Sequence, residues 1–153
     1  MADIVDPSRL LEVLGGFRPL RRVLLGTAGT LQGTLSAYFG APVTIEVIDQ
    51  RVDGDVMHRT VDLVCVPRDI VACRADTAIT VDDDGLRDLI VEQRLGLGQI
   101  VAFVGVRTLF ELDAAAQEAD EFWRTYRLSG VGFQFVITER FPEHLYPDVP
   151  EPA

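Results

Sequence analysis

The sequence predicts an α+β domain, an antiparallel β-sheet flanked by helices, and three observations carry that prediction. Runs of period-two alternation follow one another across the short turns Asp53-Gly54-Asp55 and Pro67-Arg68-Asp69, as strands joined in hairpins do. Helical patterning is concentrated ahead of them, at the front of the chain. A last hairpin, Arg124–Leu128 and Gly132–Arg140 about a Ser129-Gly130 turn, ends the sheet. A parallel doubly wound sheet is the alternative, and the two hairpin turns count against it.

Taken in order, Asp6-Pro7-Ser8 before Arg9–Leu14 reads as a short capped helix, stopped by Gly15-Gly16. Pro19–Leu25 leads into Gly26-Thr27-Ala28-Gly29-Thr30, a polar turn. Leu31, Leu35 and Phe39 then lie at helical spacing, and Gly40 closes that helix. Ala41-Pro42 opens a first strand to about Arg51, with Val43, Ile45 and Val47 alternating against Thr44 and Glu46. The second strand is Val56–Val66. In the third, Val71, Cys73, Ala75, Thr77 and Ile79 share a face and Arg74 lies opposite. The aspartates of Asp82-Asp83-Asp84-Gly85 cap a helix over Leu86–Arg94. Gly96-Leu97-Gly98 is a loop, Gln99–Leu112 is apolar enough for a strand, and Asp113 to about Trp123 reads as a helical or irregular crossover. Trp123 and Tyr126 read as packing residues around that crossover and the last hairpin, with a place in a pocket wall as the alternative. The tail from Pro142 carries four prolines and is expected to be packed at first and then loose.

At 153 residues and 48% hydrophobic, the chain suits one domain, 1–153, with a sizeable core. A net charge of −10 with no basic stripe argues against nucleic-acid binding, because phosphate contacts need clustered Lys and Arg. There is no basic amphipathic helix for a membrane surface and no apolar run of membrane-spanning length. Met1–Arg9 lacks the basic-then-apolar layout of a signal peptide, so a cytoplasmic protein is expected. Cys65 and Cys73 sit in apolar strand runs and read as buried thiols in a reducing compartment. No metal motif is present, since His58 and His144 are too few and too separated, so no metal ligand is expected.

Two residues break the alternation in a way that points to chemistry. In the last strand Phe133, Phe135, Ile137 and Phe141 face one way, and Glu139 falls among them. In the second strand Arg59 shares a face with Met57, Val61, Leu63 and Cys65. A carboxylate buried unpaired is expensive or neutralises, so Glu139 is turned out, paired with Arg124 or Arg127, or held inside for a purpose. Arg59 snorkels, pairs internally (with Glu139 as one candidate) or binds an anion. One inward acid and one inward guanidinium are what a pocket for a small anion needs.

Four places in the chain, spanning about Leu24 to Tyr146, resemble the chorismate pyruvate-lyase (4-hydroxybenzoate synthase) family in the same order. They are Ala28-Gly29-Thr30-Leu31-Gln32, His58-Arg59-Thr60-Val61-Asp62-Leu63, Gly96-Leu97-Gly98, and Arg127-Leu128-Ser129-Gly130 followed by Thr138-Glu139-Arg140-Phe141 and Leu145-Tyr146. Ala28 stands where the family has an aspartate, and Gly96 where it has a proline. The resemblance implies a chorismate lyase-like fold, with an antiparallel sheet, flanking helices and flap-like segments over a buried ligand. It implies elimination of pyruvate from chorismate without a cofactor. By position, Arg59 would bind the ring carboxylate and Glu139 would be the catalytic acid. Leu31 and Leu97 would approach the substrate through their backbone amides, and Arg74 would stand near the mouth of the site.

The expected partner is therefore a small aromatic or cyclic acid, with no nucleic acid and no membrane, acting on a monomer or small homo-oligomer. Two other readings stay open: a diverged enzyme of the same fold acting on another cyclic acid, and a non-catalytic domain that binds a small ligand.

Overall fold

The computed structural model describes residues 6–29, 31–92 and 107–147. Three helices come first, α1 (Pro7–Leu14), α2 (Pro19–Gly26) and α3 (Leu31–Phe39). Strands β1 (Val43–Asp53), β2 (Val56–Cys65) and β3 (Ile70–Val81) follow, then helix α4 (Asp84–Glu92), then β4 (Leu109–Gln117), β5 (Glu121–Gly130) and β6 (Phe133–Pro142). All neighbouring strands are antiparallel, in the order β1-β2-β3-β6-β5-β4. Two three-stranded meanders are thus joined edge to edge by β3 and β6. The chain between β3 and β4 runs from the middle of the sheet to its edge and carries α4.

Local chemistry explains most boundaries. Asp6 caps α1 by accepting from the amides of Ser8 and Arg9, with Pro7 in the first turn. Pro19 likewise opens α2, so the stretch read from sequence only as a lead-in is helical. Leu31, Leu35 and Phe39 form the buried stripe of α3, and Gly40 leaves it at φ +65°. Asp83 Oδ1 caps α4 at the Leu86 amide, as the aspartate run predicts. Gly54 supplies the positive φ, +61°, of the two-residue turn between β1 and β2.

The expected crossover over Asp113–Trp123 is instead the β4–β5 hairpin. Ala114-Ala115-Ala116 has helical propensity, but Phe110 and Leu112 before it and Phe122 after it need the same buried face. Pairing with β5 satisfies them, aided by a bulge between Leu112 and Ala114. Only the end of the strand expected over Gln99–Leu112 lies in β4; 99–106 are outside the described residues, as are Gly96, Leu97 and Gly98. The last turn is Val131-Gly132, not Ser129-Gly130, because Gly130 still pairs with Phe133.

The core lies on one face of the sheet, under the helices. Met57, Leu63, Ile79, Phe135 and Phe141 of the sheet are buried with Leu24, Leu25 and Leu35 of the helices. Tyr146 is also fully buried and donates from its hydroxyl to the Ala72 carbonyl at 2.7 Å, which fixes the start of the proline-rich tail. Cys65 and Cys73 are buried free thiols. No helix among the described residues is long and apolar enough to cross a membrane.

Candidate functional site

Strand alternation and register place the inward charges. Arg59, Thr77, Ile137, Tyr126 and Leu112 line up across β2, β3, β6, β5 and β4 in one transverse row. The next row holds Val61, Ala75, Glu139, Arg124 and Ala115. Arg59 and Glu139 therefore share the buried face, at 3% and 4% exposure. They stand one row and two strands apart, which separates their Cα atoms by about 12 Å at ordinary sheet spacings. They do not pair with each other.

Glu139 belongs to a dense polar cluster. Its Oε1 accepts from Nε of Arg124 at 2.5 Å, and its Oε2 accepts from the Tyr126 hydroxyl at 3.2 Å. Arg124 is fully buried, and its Nη1 donates to the carbonyls of Leu25 and Thr27 at the end of α2. Its guanidinium carbon sits 4.3 Å from the centroid of the Tyr126 ring. Burial opposes the charge on Arg124, but Glu139 and Tyr126 outweigh it and raise its pKa. Burial, then the Glu139 carboxylate, pushes the Tyr126 phenol well up, so it remains a hydrogen-bond donor. Both oxygens of Glu139 are acceptors in this arrangement, which is at odds with an acid standing in an apolar wall.

Arg59 anchors the other end of the face. Its Nε donates to Oε1 of Gln50 on β1 at 2.9 Å, and its Nη2 to the Ile90 carbonyl of α4 at 2.5 Å. Burial lowers its pKa, so an anion placed beside it is stabilising. Between the two clusters the floor is made of short side chains, Ala75 beside Glu139 and Thr77 beside Arg59, so the sheet rises least between the charged groups.

The remaining candidates separate. Leu31 opens α3 four residues after Thr27, with its side chain in the core. Its amide lies in the first turn, where amides have no intrahelical acceptor. Leu97 lies outside the described residues. Arg74 is not brought to this face: it projects from the opposite side of β3, where Nε and Nη2 grip both oxygens of Asp62 at 2.6 and 2.8 Å. The physical reason is the strand period, which sends Arg74 away from its neighbours Cys73 and Ala75.

Gln50 enters the site without having been singled out for it, whereas Arg124 is one of the two partners the sequence offers for Glu139 and Tyr126 is read chiefly as a packing residue. Arg124 has the same signal as Arg59 and Glu139, an ionic residue at an inward position between Phe122 and Tyr126, but the expected crossover hid the phase of that strand. Trp123, by contrast, faces outward, with Nε1 donating to Glu118 at 3.3 Å. Three surface depressions are lined by described residues, one along α1 and β4, one on the outer face near His58 and Asp76, and one around Arg21 and Glu143. None of these three contains both Arg59 and Glu139.

No protein-family model matches this chain, and no curated protein matches it either.

Proposed function

We propose that this chain is a cytoplasmic chorismate pyruvate-lyase that converts chorismate to pyruvate and 4-hydroxybenzoate. The observation that carries the reading is the pair of polar clusters on one buried sheet face, Arg59 at one end and Arg124–Glu139–Tyr126 at the other, over a floor of Ala75 and Thr77. The ordered motifs from about Leu24 to Tyr146 add to it, as does the placement of both cysteines as buried free thiols, which suits a reducing compartment.

In this reading Arg59 takes the ring carboxylate, since a guanidinium presents parallel N–H donors matched to two oxygens. Gln50 and the Ile90 carbonyl steer it. The reaction breaks the ring C–O ether bond and removes one ring hydrogen. The enolpyruvyl fragment takes up that proton at its methylene carbon and leaves as pyruvate, while the ring becomes aromatic. No net proton, electron or co-reactant is needed, so orientation and stabilisation of charge on the departing oxygen are what the protein must supply. Glu139, expected as the acid, acts here as an acceptor that aligns the ring hydroxyl and fixes Arg124.

The test is incubation of the purified protein with chorismate, following pyruvate and 4-hydroxybenzoate. Equal release of both, lost in Glu139→Leu and displaced to much higher substrate concentration in Arg59→Lys, supports the reading. Tight binding of 4-hydroxybenzoate with no turnover would make the chain a ligand-binding domain, and neither binding nor turnover would move it to another cyclic acid.

A further inference from the structure

Arg124 differs from Arg74 and Arg127, two other carboxylate-bound arginines of the sheet, in how it uses its donors. On the outer face, Arg74 closes its Nε/Nη2 fork on both oxygens of Asp62. Arg127 closes the same fork on both oxygens of Asp113, at 2.9 and 3.0 Å. Arg124 gives Nε to Oε1 of Glu139, but Oε2 is turned to Tyr126 and the fork stays half closed. Nη1 is committed to two carbonyls. Among the described residues Nη2 has no acceptor, although it is shut off from solvent. A buried guanidinium N–H with no acceptor is rare, because an unsatisfied donor carries its full desolvation penalty.

We infer that Nη2 of Arg124 is a ligand donor and that it binds an uncharged oxygen substituent of the ring, at the end opposite the carboxylate held by Arg59. Charge decides the kind of acceptor. Glu139 already balances Arg124 at contact distance, so a second carboxylate there would bring an unmatched negative charge into the low-dielectric interior. A hydroxyl or ether oxygen satisfies Nη2 without that penalty. The ligand class is thus a cyclic acid with one carboxylate towards Arg59 and an oxygen function across the ring. Extension to catalysis rests on the lyase reading. The hydroxyl across the ring stands beside the carbon that bears the ether, so Arg124 holds the ring in place while that C–O bond breaks.

The experiment compares two probes, benzoate and 4-hydroxybenzoate, by calorimetry on the whole chain. The wild-type protein should prefer 4-hydroxybenzoate by on the order of tenfold to a hundredfold, as a hydrogen bond to a charged donor gives. Arg124→Lys, with thermal unfolding checked, should reduce that preference, taken as the ratio of the two affinities, to about twofold, since the Nη2 donor is removed. Should Arg124→Lys fail to fold, Arg124→Met combined with Glu139→Gln removes the guanidinium and the charge of its partner but keeps a side-chain oxygen able to accept from the ring hydroxyl, and it should lose the preference equally. A preference that survives either folded variant, or no binding of either probe to the wild type, overturns the inference. Preference without pyruvate release from chorismate would defeat the lyase reading alone and leave Arg124 as the oxygen donor.

Discussion

Arg124 Nε and Glu139 Oε1 lie 2.5 Å apart on directly paired positions of β5 and β6, with both side chains almost wholly removed from water. Such a pair is weak evidence of net stability, because desolvation of both ions offsets their attraction. Breaking it from one side is a different matter. Glu139→Leu leaves a buried guanidinium holding only carbonyls, and the expected loss is about 3–5 kcal/mol. The double replacement Arg124→Met with Glu139→Leu should recover most of that loss. Urea unfolding of the wild type, the single and the double variant measures all three, and a single variant as stable as the wild type would contradict the burial of the pair.

Arg74 provides the converse prediction. It stands on the outer face with its side chain 52% exposed and its fork closed on Asp62. Arg74→Gln should change the affinity for 4-hydroxybenzoate by less than about twofold, since the Arg74–Asp62 pair lies on the far side of the sheet from Arg59 and Glu139; its cost should fall on folding, because it leaves the buried Asp62 without that partner. A tenfold loss of affinity would return Arg74 to the ligand and reverse the face assignment.

At the Arg59 end, Gln50 acts through the arginine. Its Oε1 receives the Arg59 Nε–H across the β1–β2 pair. Gln50→Leu removes that tether while Arg59 stays in place, so acid binding should weaken several-fold through looser aim of the guanidinium, less than the roughly 1.5–3 kcal/mol of a direct hydrogen bond to a charged group. The turnover rate at saturating chorismate should be unchanged. A fall in rate with no change in half-saturation would show that Gln50 serves something other than placement of the carboxylate.

Much of this arrangement is legible in the sequence, because a period of two is unforgiving. Glu139 between Ile137 and Phe141, and Arg59 between Met57 and Val61, are inward by phase alone, and the structure buries both. What phase does not give is pairing. Choosing Arg124 over Arg127 as the partner of Glu139 needs the phase of β5, and Ala114-Ala115-Ala116 obscured where that strand begins by reading as helix. Once Phe122 is seen to face inward, Arg124 and Tyr126 follow and Arg127 is sent to Glu111 and Asp113. Arg74 illustrates the opposite error, a role taken from similarity against a strand phase that already pointed it outward.

Gly130 tests the packing under the last turn. A Cβ there would stand 2.5 Å from Phe133 Cε1 and 2.7 Å from the Arg107 carbonyl oxygen, and the carbonyl cannot rotate away. Gly130→Ala should therefore destabilise by about 1–3 kcal/mol, the usual range for overpacking. Gly33, exposed inside α3 with nothing within 4 Å of its added Cβ, is the control. Gly33→Ala should stabilise by about 0.5–1 kcal/mol through helix propensity. Denaturant midpoints read both, and equal effects at the two sites would deny the close approach at Gly130.

Three buried acids set the alkaline limit of the fold. Burial raises the Cys73 thiol well above its ordinary 9.0, with Glu139 adding to the effect, and raises the Tyr126 and Tyr146 phenols above 10.0. In each case the folded state keeps a proton that the unfolded chain releases. Their contribution is complete below the unfolded pKa and is lost as pH climbs from there towards the folded value. Stability should thus hold below pH 9 and fall above it, first through Cys73 and then through the two tyrosines. With all three ionised only in the unfolded chain, the slope approaches about 4 kcal/mol per pH unit. Cys73→Ala removes the thiol and should flatten the curve between pH 9 and 10 while leaving the later descent intact. Urea midpoints taken from pH 8 to 11 for both proteins decide it: superimposable curves for Cys73→Ala and wild type would mean that the thiol is not held protonated beside Glu139.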